Sequence, residues 1–296
     1  YAVMTDGTVK AWGNNGSGRL GIGSTTNQSS PVAIPGLSGV EQLVTGDFGC
    51  AYAVMTDGTV KAWGNNGSGQ LGIGNTTNQS SPVAIPGLSG VEQIVTGSSC
   101  AYAVMTDGTV KAWGYNNYGQ LGIGNTTNQS SPVAIPGLSG VAQLVTGYNC
   151  TYAVMTDGTV KAWGVNSSGE LGIGNTTNQS SPVSIPGLSG VAQLVTGYNC
   201  TYAVMTDGTV KAWGVNSSGE LGIGNTTNQS SPVAIPGLSG VDQLVTGYNC
   251  AYAVMTDGTV KAWGYNDSGQ LGIGNTTNQS SPVAIPGLSG VEQLVK

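Results

Sequence analysis

The run YAVMTDGTVKAWG occurs six times without a change, beginning at Tyr1, Tyr52, Tyr102, Tyr152, Tyr202 and Tyr252. The spacing is fifty residues, except for the first interval, which is fifty-one. Self-similarity at a fixed period of this size dictates a repeat architecture, in which each copy is one supersecondary unit packed on its neighbours. Any fold for this chain is therefore one unit used six times.

Within a unit, Tyr102-Ala-Val-Met-Thr106 and Thr109-Val-Lys-Ala-Trp113 are rich in β-formers and flank Asp107-Gly108. That pattern predicts a hairpin with a type I′ turn, whose central residues need φ > 0. The glycine- and amide-rich stretch from Gly114 to Ser131 has no helical period and reads as a long structured loop, tucked onto the sheet by Leu121 and Ile123. Pro132-Val-Ala-Ile135 is a further short strand, and its prolines suit an edge. Pro136 to Gly140 is a turn, Val141-Ala-Gln-Leu-Val145 is a strand, and Gly147 to Cys150 is a tight link.

Four short antiparallel strands and no helix cannot cover their own apolar faces. Radial stacking covers them and leaves short outer edges. The expected fold is all-β: a single propeller domain over 1–296, with repeats 1–51, 52–101, 102–151, 152–201, 202–251 and 252–296. Its six blades have four strands each. Trp12, Trp63, Trp113, Trp163, Trp213 and Trp263 are the expected packing residues between blades. The chain opens at the second strand of a blade and stops at Val291-Glu-Gln-Leu-Val295-Lys296, a first strand. Pairing of this tail with the opening strands is expected to close the ring and to remove two open edges.

The run Gly-x-x-Cys-x-Tyr-Ala-Val-Met-Thr-Asp-Gly-Thr-Val-Lys-Ala-Trp-Gly-x-Asn-x-x-Gly-Gln-Leu-Gly-Ile-Gly resembles the repeat of the regulator of chromosome condensation family, over essentially the whole chain. The resemblance implies a bladed propeller. It also implies protein recognition, since relatives bind a small GTPase or, in a secreted bacterial inhibitor, β-lactamases. Two features depart from the family. Members usually have seven blades, and their usual histidine in the link is here Cys50, Cys100, Cys150, Cys200 and Cys250.

The net charge is −6, and only 7% of residues are charged. Lys10, Lys61, Lys111, Lys161, Lys211 and Lys261 are spaced one per copy, not clustered. Phosphate neutralisation needs a basic patch, so no nucleic-acid partner is expected. No run of eighteen apolar residues is present, and no membrane span is expected. The chain begins on Tyr1 and not on Met, which suggests a processed or excised chain. One compositional texture runs throughout, without a linker. Equivalent cysteines on a ring stand too far apart for disulfides and read as small buried apolar residues. No metal site or cofactor is expected.

The catalytic inventory is thin. With no histidine, the commonest general base is absent. Asp6, Asp57, Asp107, Asp157, Asp207 and Asp257 are accounted for by turns, and the other acids, Glu170 and Glu220 among them, read as solvated loop charges. Gly122-Ile-Gly124 and its copies follow no strand-to-helix junction, so a phosphate cradle is not indicated.

Differences between copies gather in two loops, the segment after the tryptophan and the link before the cysteine. In an up-and-down blade both emerge at one end. They bring Phe48, Tyr115, Tyr118, Tyr148, Tyr198, Tyr248 and Tyr265 there as candidate binding residues. Tyrosine among Asn, Ser and Gly is the composition that binding loops favour. The sequence thus points to a non-enzymatic scaffold for a protein or glycan. The alternative is a structural or engineered repeat protein without a dedicated ligand, which the near-identity of the copies supports. Third is nucleotide exchange on a small GTPase, by family analogy. A monomer is expected, and sparse charge with abundant Asn, Ser and Thr leans towards a secreted bacterial setting.

Overall fold

The computed structural model describes residues 1–295; Lys296, which the sequence reading places in the closing strand, lies outside them. Every regular element among the described residues is a β-strand, as expected. The chain divides into two compact units, Tyr1–Leu144 and Val145–Lys296.

The first unit holds three sheets. One is β1 (Ala2–Val3), β2 (Val9–Gly13) and β3 (Gln28–Ala33); the next is β4 (Val40–Gly46), β5 (Cys50–Met55), β6 (Val60–Gly64) and β7 (Gln79–Ala84); the third is β8 (Val91–Gly97), β9 (Cys100–Met105), β10 (Thr109–Gly114) and β11 (Gln129–Ser139). The second unit repeats the plan. Its sheets are β12 (Val141–Thr146, which begins just before the boundary) to β15 (Gln179–Ser189), with β13 (Cys150–Met155) and β14 (Thr159–Gly164); then β16 (Val191–Thr196), β17 (Cys200–Met205), β18 (Thr209–Gly214) and β19 (Gln229–Ser239); then β20 (Val241–Thr246), β21 (Cys250–Met255), β22 (Val260–Gly264) and β23 (Gln279–Ala284). All pairings are antiparallel between consecutive strands, as in an up-and-down blade.

Several expectations are corrected in detail. The Asp-Gly hairpin is not a two-residue type I′ turn. Only the glycine has positive φ (+75° at Gly108), and the Gly108 N–H donates to the Met105 carbonyl at 2.8 Å. This is a three-residue loop with its glycine in the left-handed region. Asp107 Oδ1 accepts from the Thr109 N–H at 2.9 Å and its hydroxyl at 2.6 Å, which ties the turn across its mouth. The fourth strand starts at Gln129, inside the stretch read as loop, because Gly114 pairs with Gln129 past a bulge at Trp113.

Closure is the larger correction. The opening sheet has three strands, and β1 pairs only with β2. Residues 291–295 form no strand. Leu294 is instead held by a side chain: its N–H donates to Gln243 Oε1 at 2.8 Å, and Gln243 Nε2 donates to its carbonyl at 3.1 Å. The described residues of the tail thus do not form the strand expected of them. Trp12 also departs from its expected role. Trp63, Trp113, Trp163, Trp213 and Trp263 are 0% exposed, whereas Trp12 is 45% exposed.

The core lies between sheets, as a repeat that cannot shield itself requires. Cys200, Tyr202, Val204, Val210, Ala212 and Leu221 of one sheet meet Val241, Leu244, Ala251, Ala253, Met255 and Trp263 of the next. The first unit packs the corresponding residues the same way.

Candidate functional site

The end of each blade that carries the variable loops is set by two local devices. The link before the cysteine is a tight turn in which the Gly197 N–H donates to the Cys200 carbonyl at 2.8 Å, with the same bond at Gly147 and Gly247. The loop after the tryptophan is moored beside it, since the N–H groups of Val165, Val215 and Tyr265 donate to the carbonyls of Asn149, Asn199 and Asn249 at 2.9 Å. The two variable segments of a blade are thus adjacent, as the strand order requires. The fifty-one-residue first interval has its cause here: this link is one residue longer, Asp47-Phe48-Gly49.

In the second unit the links of successive blades are drawn together by threonines. Thr196 Oγ1 donates to the Thr146 carbonyl, and Thr246 Oγ1 to the Thr196 carbonyl, each at 2.9 Å. Two residues beyond each threonine stands a tyrosine. Tyr148 and Tyr198 have ring centroids 5.1 Å apart, and Tyr198 and Tyr248 5.7 Å, with interplanar angles of 35° and 47°. All three rings are exposed, Tyr248 most at 67%. Tyr265 lies on the loop moored next to Tyr248, and its phenol is pushed above the ordinary value by its hydrogen bond to the Asp267 carboxylate.

The other candidates belong to the first unit. Tyr115 and Tyr118 form an edge-to-face pair at 6.2 Å, and Phe48 is exposed at the tip of its link. The structure therefore gathers Tyr148, Tyr198 and Tyr248 into one row. It leaves Tyr115 and Tyr118 as a pair of their own and Phe48 without a ring contact among the described residues.

Three features escaped the sequence reading. The first is the asparagine two residues after each Trp-Gly. Asn166 is fully buried; its Nδ2 donates to the Asn175 and Thr177 carbonyls, its Oδ1 accepts from the Leu171 N–H at 2.9 Å, and its own N–H donates to Asn178 Oδ1. One side chain thus organises the whole loop, and its appearance in all six copies was the available signal. The second is the tyrosine opening each repeat, buried at Tyr52, Tyr102, Tyr152 and Tyr202: the Tyr152 hydroxyl donates to the Glu170 carbonyl at 2.5 Å. The third is Glu170 and Glu220 themselves, expected to be solvated but only 4% and 2% exposed. Each carboxylate accepts the N–H of Ser168 or Ser218, and Glu220 Oε1 is buried without a partner. They occupy the place of Gln70, whose Oε1 accepts from Ser68 in the same way.

The five cysteines are unpaired and buried, as expected, and they also donate. Cys100, Cys150, Cys200 and Cys250 point their thiols at the hydroxyls of Tyr102, Tyr152, Tyr202 and Tyr252 at 3.5 to 3.6 Å. Burial pushes the thiols of Cys100, Cys150 and Cys200 up to about 12.

Comparison with known proteins agrees with this layout. The model of the regulator of chromosome condensation (RCC1) repeat matches residues 6–52, 57–104, 107–154, 157–204, 207–254 and 257–296. The ultraviolet-B receptor UVR8 of Arabidopsis thaliana is 38% identical over 85 residues, which are 28% of this chain and 19% of the receptor. The human E3 ubiquitin-protein ligase HERC2 is 36% identical over 102 residues, 33% of this chain and 2% of the ligase. The match thus spans well under two thirds of either relative. Among solved structures, human WBSCR16 superposes with a TM-score of 0.75 at 25% identity, over 96% of this chain and 78% of that one. Prp20p of Saccharomyces cerevisiae superposes with a TM-score of 0.74 at 22% identity, over 96% of this chain and 74% of that one. The yeast structure was described together with its binding properties to Gsp1p and histones. These likenesses in fold identify the sheets as propeller blades.

Proposed function

Because this chain belongs to the regulator of chromosome condensation repeat family, we propose that it is a non-enzymatic scaffold that binds a protein through the loop end carrying Tyr148, Tyr198 and Tyr248. The row of exposed rings at 5.1 and 5.7 Å carries this reading. Three aromatic side chains held shoulder to shoulder present apolar area at little entropic cost, with a hydroxyl on each for hydrogen bonding. The links that bear them are fixed by the threonine-to-carbonyl bonds, so the row is formed before any partner arrives.

Ring tilt favours a protein over a glycan. A linear sugar chain stacks best on coplanar faces, and angles of 35° and 47° present a ridge of faces and edges. An irregular protein surface fills such a ridge more completely. The competing reading, a repeat protein with no ligand, draws on the near-identity of the copies. The test is to select from a displayed peptide library and a glycan array with the intact chain and with a Tyr148→Ala, Tyr198→Ala, Tyr248→Ala variant. Peptides retained by the first and lost by the second support the proposal. Glycan-only retention, equal retention by both, or none by either overturns it.

A further inference from the structure

Two exposed phenols held side by side can undergo a reaction that one alone cannot. Loss of an electron and the hydroxyl proton turns a tyrosine into a phenoxyl radical, whose unpaired spin is shared between the oxygen and the ring carbons ortho and para to it. The para carbon carries the side-chain methylene, so two radicals join at their ortho carbons. Whether that bond forms within one molecule or between molecules is decided by where the rings stand.

In the second unit they stand together. Tyr148 and Tyr198 are 48% and 43% exposed, and their ring centroids are 5.1 Å apart at an interplanar angle of 35°. The centroids of two phenyl rings already bonded to each other are only slightly closer than this. Exposed side chains change rotamer in picoseconds to nanoseconds, so the remaining adjustment is quick. The backbone beneath keeps the pair from drifting apart. Two residues before each ring, Thr196 Oγ1 donates to the Thr146 carbonyl at 2.9 Å, and each link is closed by its own glycine-to-cysteine bond at 2.8 Å. Tyr152 and Tyr202 of the same two blades are fully buried, with their hydroxyls donated to the carbonyls of Glu170 and Glu220. An oxidant that cannot enter the core meets the row and not these.

We infer that Tyr148 and Tyr198 form an oxidative cross-linking site, at which hydrogen peroxide and a haem peroxidase join the two rings as dityrosine. The peroxidase withdraws one electron from each phenol, and each hydroxyl proton goes to solvent. The ortho carbons bond. Each then gives up its hydrogen as a proton while its oxygen takes one back, which restores both phenols. In sum, two C–H bonds are replaced by one C–C bond, the pair loses two hydrogen atoms, and one peroxide is reduced to two waters. The product ties together residues fifty apart in the sequence and fastens one blade to the next at the variable end. Tyr198 also stands 5.7 Å from Tyr248 at a steeper 47°, so the shared ring has a second, less favoured mate. Coupling needs only the rings, whether or not the row receives a partner.

The experiment treats the dilute, folded chain with stoichiometric hydrogen peroxide and a catalytic amount of haem peroxidase, and then separates monomer from multimer on a denaturing gel. Dityrosine fluorescence is read in the monomer band, and peptide mass mapping locates the bond. The monomer is expected to fluoresce, with Tyr148 joined to Tyr198. Tyr198→Phe keeps the ring and removes the reacting hydroxyl, and it should cut the monomer signal at least about tenfold. Tyr248→Phe should leave the bond between Tyr148 and Tyr198 in place. Oxidation of the same chain after proteolysis, when nothing holds the two links together, should not give that bond. A monomer band without dityrosine, a signal that survives Tyr198→Phe, a principal bond mapped to any other pair, or equal coupling after proteolysis overturns the inference.

Discussion

Trp213 donates its indole N–H to the backbone carbonyl of Glu170 at 2.7 Å, from one blade to the blade before it. The same carbonyl accepts the hydroxyl of Tyr152, whose ring stands edge-on to the Trp213 indole at 6.3 Å. A carbonyl has two lone pairs, and here each serves a different blade. Trp213→Ala is expected to destabilise the chain by about 3–5 kcal/mol, the range for emptying a fully buried aromatic site. Trp213→Phe should cost clearly less, because a phenyl ring refills most of the site while the carbonyl keeps Tyr152 in either variant. Urea unfolding measures both. Equal losses in the two variants would mean that the cavity is not what dominates.

Glu220→Gln should stabilise the protein by about 1 kcal/mol. One carboxylate oxygen of Glu220 is buried without a partner, and glutamine at the equivalent Gln70 accepts the same serine N–H without carrying a charge into the interior. The readout is the urea midpoint at neutral pH. A lowered midpoint would mean that the buried oxygen has a donor after all.

The six turn aspartates predict an acid limb. Asp6, Asp57, Asp107, Asp157, Asp207 and Asp257 are each held below the ordinary carboxyl value of 3.8, first by the side-chain hydroxyl of the threonine two residues on and then by its N–H. The unfolded chain binds protons before the folded one does. The contribution is therefore complete above 3.8 and is lost as pH falls below it, through the lowered folded-state values. Melting temperature should be level above that point and decline beneath it. Asp→Asn at all six turns should flatten the decline, and an unchanged slope would remove these residues as its source.

The thiols predict the opposite limb. Cys100, Cys150 and Cys200 are raised from 9.0 to about 12 by burial, so the unfolded chain ionises first as pH rises. Stability is unaffected below 9.0 and falls between there and about 12. Below 9.0 the native chain should leave a thiol-reactive dye unconsumed until denaturant is added. Prompt labelling of the native chain would contradict the burial of these side chains.

Much of this was legible in the sequence because the signals are local and six-fold. The Asp-Gly hairpins, the strand order and the adjacency of the two variable loops within a blade all follow from short-range chemistry. What was missed depends on partners distant in sequence. Glu170 looks like any loop acid until the blade that covers it is in place. Gln129 to Ser131 looks like loop because polar residues on an edge strand carry no alternating pattern. Asn166 was written in every copy, but nothing in its immediate neighbours marks which asparagine is buried. Trp12 shows the converse limit: its local sequence is that of Trp63, yet it is exposed where Trp63 is buried.

The contact of a tryptophan with a carbonyl of the blade before it recurs at Trp63, Trp113, Trp213 and Trp263, and it has an evolutionary reading. If any blade's carbonyl fits any blade's tryptophan, the gain or loss of a fifty-residue segment during replication joins surfaces that already match. Copy number in such a gene can drift with no compensating substitution, and selection then acts on how many blades the molecule carries more readily than on which ones.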